Sequence, residues 1–296
     1  MIMVTKLKVL LIIIGLSSLP LLAGCNSGYV QSIEKWRAEH EADLKKDDGW
    51  LTLAGLFWLK DGTNTVGRGD KFDVSLTDNF SGEKFGEIDF HDGRATLKVE
   101  PGVEATVDGK PVNTVELASD DPGPPTKVQI GSQTFYLIKR EDGYGIRLKD
   151  SESPDRKKFV GEHWFPIDER FVVTGSFEPF ETPKEVMVPN VLGSVFKMKS
   201  PGVVKFRLNG KDFALQPVEE EEKTLFFIFK DATNKDETYA AGRFLYTDRP
   251  VNGKVVLDFN KAENPPCAYT NFATCPLPPP QNRMDVEIKA GELKTH

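Results

Sequence analysis

Cysteine, histidine and methionine are scarce. The 296 residues contain three Cys, four His and five Met. A transition-metal centre needs several thiolate or imidazole ligands to converge, so this composition leaves little to build one from. No basic tract is present, and 45 acidic residues against 38 basic ones give a net charge of −7. That balance argues against nucleic acid as a partner, because phosphate binding draws on clustered Lys and Arg. There is no Gly-x-Ser-x-Gly elbow, no His-Glu-x-x-His, no phosphate loop and no Cys-x-x-Cys pair. Outside an N-terminal helix and the C-terminus, only His91 and His163 offer an imidazole. A Ser-His-Asp enzyme is therefore poorly supported. What is present describes a folded globular chain: 39% apolar residues, 28% charged residues and 20 Phe. The length suits one large domain or two ordinary ones.

The N-terminus reads as an export signal over residues 1–24. Lys6 and Lys8 precede an apolar run, Val9 to Leu22, broken by Gly15 and Pro20. The run is too short for a comfortable bilayer span and fits a signal core. It ends in Leu22-Ala23-Gly24-Cys25, which resembles the lipobox of bacterial lipoproteins. The resemblance implies cleavage before Cys25 and lipidation of its sulfur. Several acyl chains on one residue give a stable anchor where a single chain does not. The partner implied is a lipid bilayer, with the chain facing the periplasm or cell exterior. Asn26, as a non-Asp residue, points to the outer membrane under the Gram-negative sorting rule. No later run is apolar enough to span a bilayer.

Residues 25–49 carry the anchor and a helix predicted over 30–47. Val30, Ile33, Trp36, Arg37, His40 and Leu44 recur at three- and four-residue steps. His40 reads as a packing residue. From Trp50 onward, short β-rich runs alternate with turn signals at Asp61-Gly62, Asp92-Gly93, Asp108-Gly109 and Asp142-Gly143. The spacing predicts an antiparallel β-sandwich over 50–149. Gly62-Thr-Asn-Thr-Val-Gly-Arg68, Val107-Asp-Gly-Lys-Pro-Val112 and Val128-Gln-Ile-Gly131 resemble forkhead-associated domains. Arg68 matches that family's phosphate-contacting Arg. Ser81-Gly-Glu-Lys84 and Asp108-Gly109 depart from its Ser-x-x-His and Asn-Gly. A sandwich without phosphothreonine specificity is the expectation, since a fold does not carry a function.

Residues 150–296 are again strand-rich and predict a β-barrel or a second sandwich. Leu225–Phe229 reads as a buried strand, 241–247 as a second and 254–260 as a third, with Val255, Leu257 and Phe259 on one face. An up-down-up meander of these strands brings two loops to one end. Asp231, Thr233, Glu237, Thr238 and Tyr239 come from one loop and Asn264, Cys267, Tyr269, Thr270 and Cys275 from the other, with Arg243, Asp258 and Asn260 at the strand ends. Together they form a candidate binding rim, or else satisfy the backbone of two irregular loops. Hairpin arithmetic places Arg243 near Asp258.

Asn264-Pro-Pro-Cys-Ala268, Cys275-Pro-Leu-Pro-Pro279, Asn282-Arg283 and Ala290-Gly-Glu292 resemble the signature of the domain-of-unknown-function family sixteen eighty-four. The resemblance runs from about Trp50 to Glu292 and implies no reaction or cofactor. With Cys25 lipidated, Cys267 and Cys275 remain as an even pair in an oxidising compartment, so a disulfide is expected. Two classes of function stay open. One is an envelope protein binding a small ligand, glycan or partner at the rim. The other is an enzyme, either a hydrolase using Asp231, Glu237 or Asp258 with Arg243, or a flavin-type split-barrel oxidoreductase.

Overall fold

The computed structural model describes residues 27–141 and 143–294. The signal segment and Cys25 lie outside the described residues. Helix α1 (Ser27–Leu44) starts and ends three residues earlier than the periodicity predicts. Ile33 and Leu44 are buried, with Trp36, Arg37, His40 and Glu41 half-buried between them on the same side. No helix among the described residues is long and apolar enough to cross a membrane.

The first β unit contains β1 (Leu53–Trp58), β2 (Gly62–Arg68), β3 (Val74–Leu76), β4 (Lys84–His91), β5 (Arg94–Val99) and β6 (Thr106–Val107). It continues with β7 (Lys110–Pro111), β8 (Thr114–Leu117), β9 (Val128–Ile130), β10 (Gln133–Arg140) and β11 (Gly143–Asp150). One sheet has the order β1-β11-β10-β9-β6-β7 and the other β3-β2-β4-β5-β8. All pairs are antiparallel except β2–β3. Phe85, Ile88, Leu97, Phe135, Ile146 and Leu148 are fully buried between the sheets, so the predicted sandwich is present. Asp92-Gly93 and Asp108-Gly109 take positive φ at both residues, at 49° and 77° and at 50° and 71°. These are the left-handed conformations that tight two-residue hairpins demand.

The second unit is built from β12 (Val172–Pro189), β13 (Val195–Leu208), β14 (Lys211–Leu215), β15 (Thr224–Phe229), β16 (Arg243–Asp248) and β17 (Lys254–Asp258). Strands β14-β13-β12-β17 form one sheet, while β15 and β16 pair alone. The sheets among the described residues do not close, so the barrel expectation fails. Leu225, Phe227 and Phe229 pack with Val204, Phe206, Val255 and Leu257. Phe226 and Ile228 pack on the opposite side with Val186, Val188 and Phe244. Both faces of β15 are therefore buried, which explains its uninterrupted apolar run.

The meander expectation is half right. Strands β15 and β16 pair from Thr224↔Asp248 to Phe229↔Arg243. Strand β17 instead pairs with β12, Val172↔Asp258 to Ser176↔Lys254. The Asn252-Gly253 turn forms as predicted, with φ of 50° and 70°, but the chain changes sheets there. Arg243 and Asp258 are consequently not cross-strand partners. The twofold alternation of Val255 and Leu257 held because it reports burial and not the identity of the neighbouring strand.

Candidate functional site

The predicted rim separates into supporting networks and a few residues that line a cavity. Asp231 Oδ1 accepts from the Thr233 backbone N–H at 2.9 Å and the Thr233 hydroxyl at 2.6 Å. Its Oδ2 accepts from Arg243 Nη2 at 2.6 Å. Arg243 also donates to the carbonyls of Ile288 and Ala290, and it is fully buried. Asp258 Oδ1 accepts from the Tyr29 hydroxyl at 2.8 Å. Asn260 bridges the backbone N–H and carbonyl of Asp168. Glu237 pairs with Lys289 at 3.3 Å, and the Tyr239 hydroxyl donates to the Cys267 carbonyl at 3.0 Å. These groups hold loops and the helix in place. Of the predicted rim, Asn264, Tyr269 and Cys275 line the large cavity.

That cavity, about 1130 Å³, lies in the cleft between the two β units and the C-terminal end of α1. One wall is β11 of the sandwich. Ile146 and Leu148 face the sandwich core, so alternation turns Arg147 and Lys149 to the opposite face and into the cleft. Arg147 is 5% exposed, and its Nη2 donates to Thr274 Oγ1 at 3.2 Å. Its Nε has no partner. Among the described residues, neither Arg147 nor Lys149 has a carboxylate within 4.0 Å, whereas neighbouring Arg140 is paired with Asp120 at 2.9 Å. Burial pushes the Lys149 ammonium down to about 8, with Arg147 adding a repulsion and Asp48 opposing both.

The facing wall is aromatic and acidic. Phe226 stacks on Tyr246 with centroids 4.6 Å apart and meets Phe244 edge-on at 4.8 Å. The Tyr246 hydroxyl donates to Glu220 at 3.0 Å. Glu263 is held by a two-way backbone bridge to Phe244, both bonds 2.9 Å. Burial raises its carboxyl to about 8, with Glu292 and Glu220 adding to the effect. His40 Nδ1 lies 3.3 Å from Glu263, and its pKa is lowered, chiefly by burial. Burial thus favours the uncharged form of both, and near neutral pH this contact is one between neutral groups.

Behind Glu263 lies a second acidic layer. Glu292 accepts from the Tyr269 hydroxyl at 2.5 Å and from the Asn264 backbone N–H at 2.7 Å. Burial first, and the neighbouring Glu292 second, raise the pKa of Glu162. Gly291 places this layer. Its φ is +80°, and a Cβ there would lie 2.4 Å from the Ala262 carbonyl, so only glycine fits. The groups do not form a metal-binding cluster among the described residues.

The expected disulfide is not formed. Cys267 and Cys275 are both free thiols. Cys275 Sγ accepts from the Cys267 backbone N–H at 3.0 Å. Their mutual hydrogen bond lowers the pKa of Cys267 and raises that of Cys275. His91 and His163 are exposed and neither lines the cavity; the His91 ring lies beside Asp61 and Asp89. The imidazole at the cleft is His40, which also packs on Trp36 at 5.4 Å.

Residues 157–293 match the model of a family described as a protein of unknown function, DUF1684. The match covers the second unit and not the sandwich, a narrower span than the signature resemblance suggested. No curated protein matches the chain. An uncharacterized protein of Haloarcula marismortui, solved by solution NMR, is 28% identical over 47% of this chain and 78% of its own, with a TM-score of 0.40. The FhaA FHA domain, crystallised in complex with the intracellular domain of Rv3910, is 21% identical over 31% of this chain and 86% of its own, with a TM-score of 0.23.

Proposed function

We propose that this is a lipid-anchored cell-envelope protein whose cleft binds a small anionic molecule. The observation that carries the binding reading is Arg147. A buried guanidinium without a counter-charge is costly, and an anion entering the cleft would offset that cost. Lys149 stands two residues along the same face, and an apolar floor of Phe226, Phe244 and Met198 can cover the body of a ligand. The lipobox reading supplies the location, with Cys25 as the attachment point.

Thermal shift with a panel of small carboxylates and phosphates tests the reading, since a ligand that binds the folded state raises the melting temperature. At least one anion should stabilise the wild type and lose its effect in Arg147→Met. Equal shifts in both proteins would overturn it.

One observation favours an enzyme as the second reading. Glu263 lines the cleft with a carboxyl held near neutral pH, as a general acid or base requires. A hydrolase would then use Glu263, because Asp231, Asp258 and Arg243 are engaged in structural hydrogen bonds. The split-barrel oxidoreductase loses its basis in the fold, because the sheets of the second unit do not close.

A further inference from the structure

The cleft's acidic wall contains a second unsatisfied buried group. Asn264 is 3% exposed and lines the cavity. Its Nδ2 is occupied by the Leu293 carbonyl at 2.8 Å, while its Oδ1 has no partner. An orphan buried acceptor costs free energy that a matching donor would recover. The same wall carries carboxyl groups, with the His40 ring 3.3 Å from one of them, Glu263. Glu263 precedes it in the chain, and Glu220 is close enough to Glu263 to raise its pKa. Arg147, whose Nε is an unpartnered buried donor, also lines the cavity. One wall thus offers a cationic donor and the other carbonyl and carboxyl oxygens, and the two do not pair with each other.

We infer that the cleft takes a zwitterionic ligand, with an anionic group on Arg147 and an ammonium group received by Asn264 and Glu263. This rests on the anion reading of the cleft and adds the second end of the ligand. An ammonium has three donors and no acceptor, and its charge beside Glu263 favours the ionised carboxylate, so that Glu263 gives up its proton as the ligand arrives and accepts from it together with Asn264 Oδ1. Phe226 and Phe244 contribute apolar contact to the segment joining the two ends.

Calorimetric titration of the full mature chain can separate the two readings. The probes are straight-chain ω-amino acids from aminobutyrate to aminooctanoate, each paired with the carboxylate and the alkylamine of the same length. At the best length the amino acid should bind about tenfold tighter than the plain carboxylate, a difference of about 1.4 kcal/mol. Asn264→Leu and Glu263→Gln should each shrink that preference, the amino acid losing more affinity than the carboxylate. Retained carboxylate binding also shows that the variants are folded. Arg147→Met should weaken both probes. If carboxylates bind through Arg147 but the amino acids bind no better, the zwitterion inference falls and the anion reading stands. If neither class binds at any length, both fall.

Discussion

The Arg243 guanidinium donates to the Asp231 carboxylate at 2.6 Å, and both side chains are completely buried. The pair ties the start of β16 to the loop after β15 and, through the carbonyls of Ile288 and Ala290, to the C-terminal segment. Removing one partner strands a buried charge, which costs about 3–5 kcal/mol. Arg243→Ala and Asp231→Ala should each lower the denaturant midpoint accordingly. The double variant Arg243→Met, Asp231→Leu should recover part of that loss. Neither change removes a residue that lines the cleft, so ligand affinity per folded molecule should hold.

Stability should fall as pH rises from about 4.5 to about 8. Glu263 is raised from the ordinary carboxyl value of 4.5 to about 8 in the folded state. Between those values the folded chain holds a proton that the unfolded chain has lost. Its contribution is full below the unfolded value and disappears as pH passes the folded one. The slope is at most about 1.4 kcal/mol per pH unit for one such group. Glu162 is shifted in the same direction. Melting temperatures across this window should decline, and Glu263→Gln should flatten the decline. An unchanged slope in the variant would show that Glu263 is not the titrating group.

The two cysteines should label at different rates. Cys267 is half-buried with a lowered pKa, and Cys275 is buried with a raised one. The thiolate is the reactive form. Alkylation followed by peptide mass spectrometry should find Cys267 modified first. Prompt labelling of Cys275 instead would contradict this placement of the pair.

The mature protein should begin at Cys25 and partition into detergent. Cys25→Ser should abolish lipidation and release the chain from membranes. An intact mass showing an unmodified Cys25 would count against the anchor.

Much of the architecture was legible in residue order because it rests on local physics. The α1 face, the Asp-Gly and Asn-Gly turns and the alternation of Val255 and Leu257 each depend on neighbours a few positions away. The candidate site was not legible in that way. His40, Arg147, Glu162, Glu263 and Glu292 are spread across the chain, and in sequence His40 reads as a packing residue and Arg147, Glu162 and Glu263 carry no signal at all. Only the packing of α1 and β11 against the second unit makes them neighbours and removes them from water. The signal nearest to them was the Asn264 motif, whose first residue reached the cleft wall, together with Ala290-Gly-Glu292, whose last lies behind it. The other rim residues read in sequence either as a binding rim or as groups that satisfy two irregular loops, because residue type cannot say whether a carboxylate faces a ligand or an arginine. Asp231 meets Arg243, whereas Arg147 lines the cleft with a hydrogen bond to Thr274 and, among the described residues, no carboxylate partner. That difference comes from tertiary packing, since burial and the presence of a counter-charge set whether a charge is satisfied or remains available for binding.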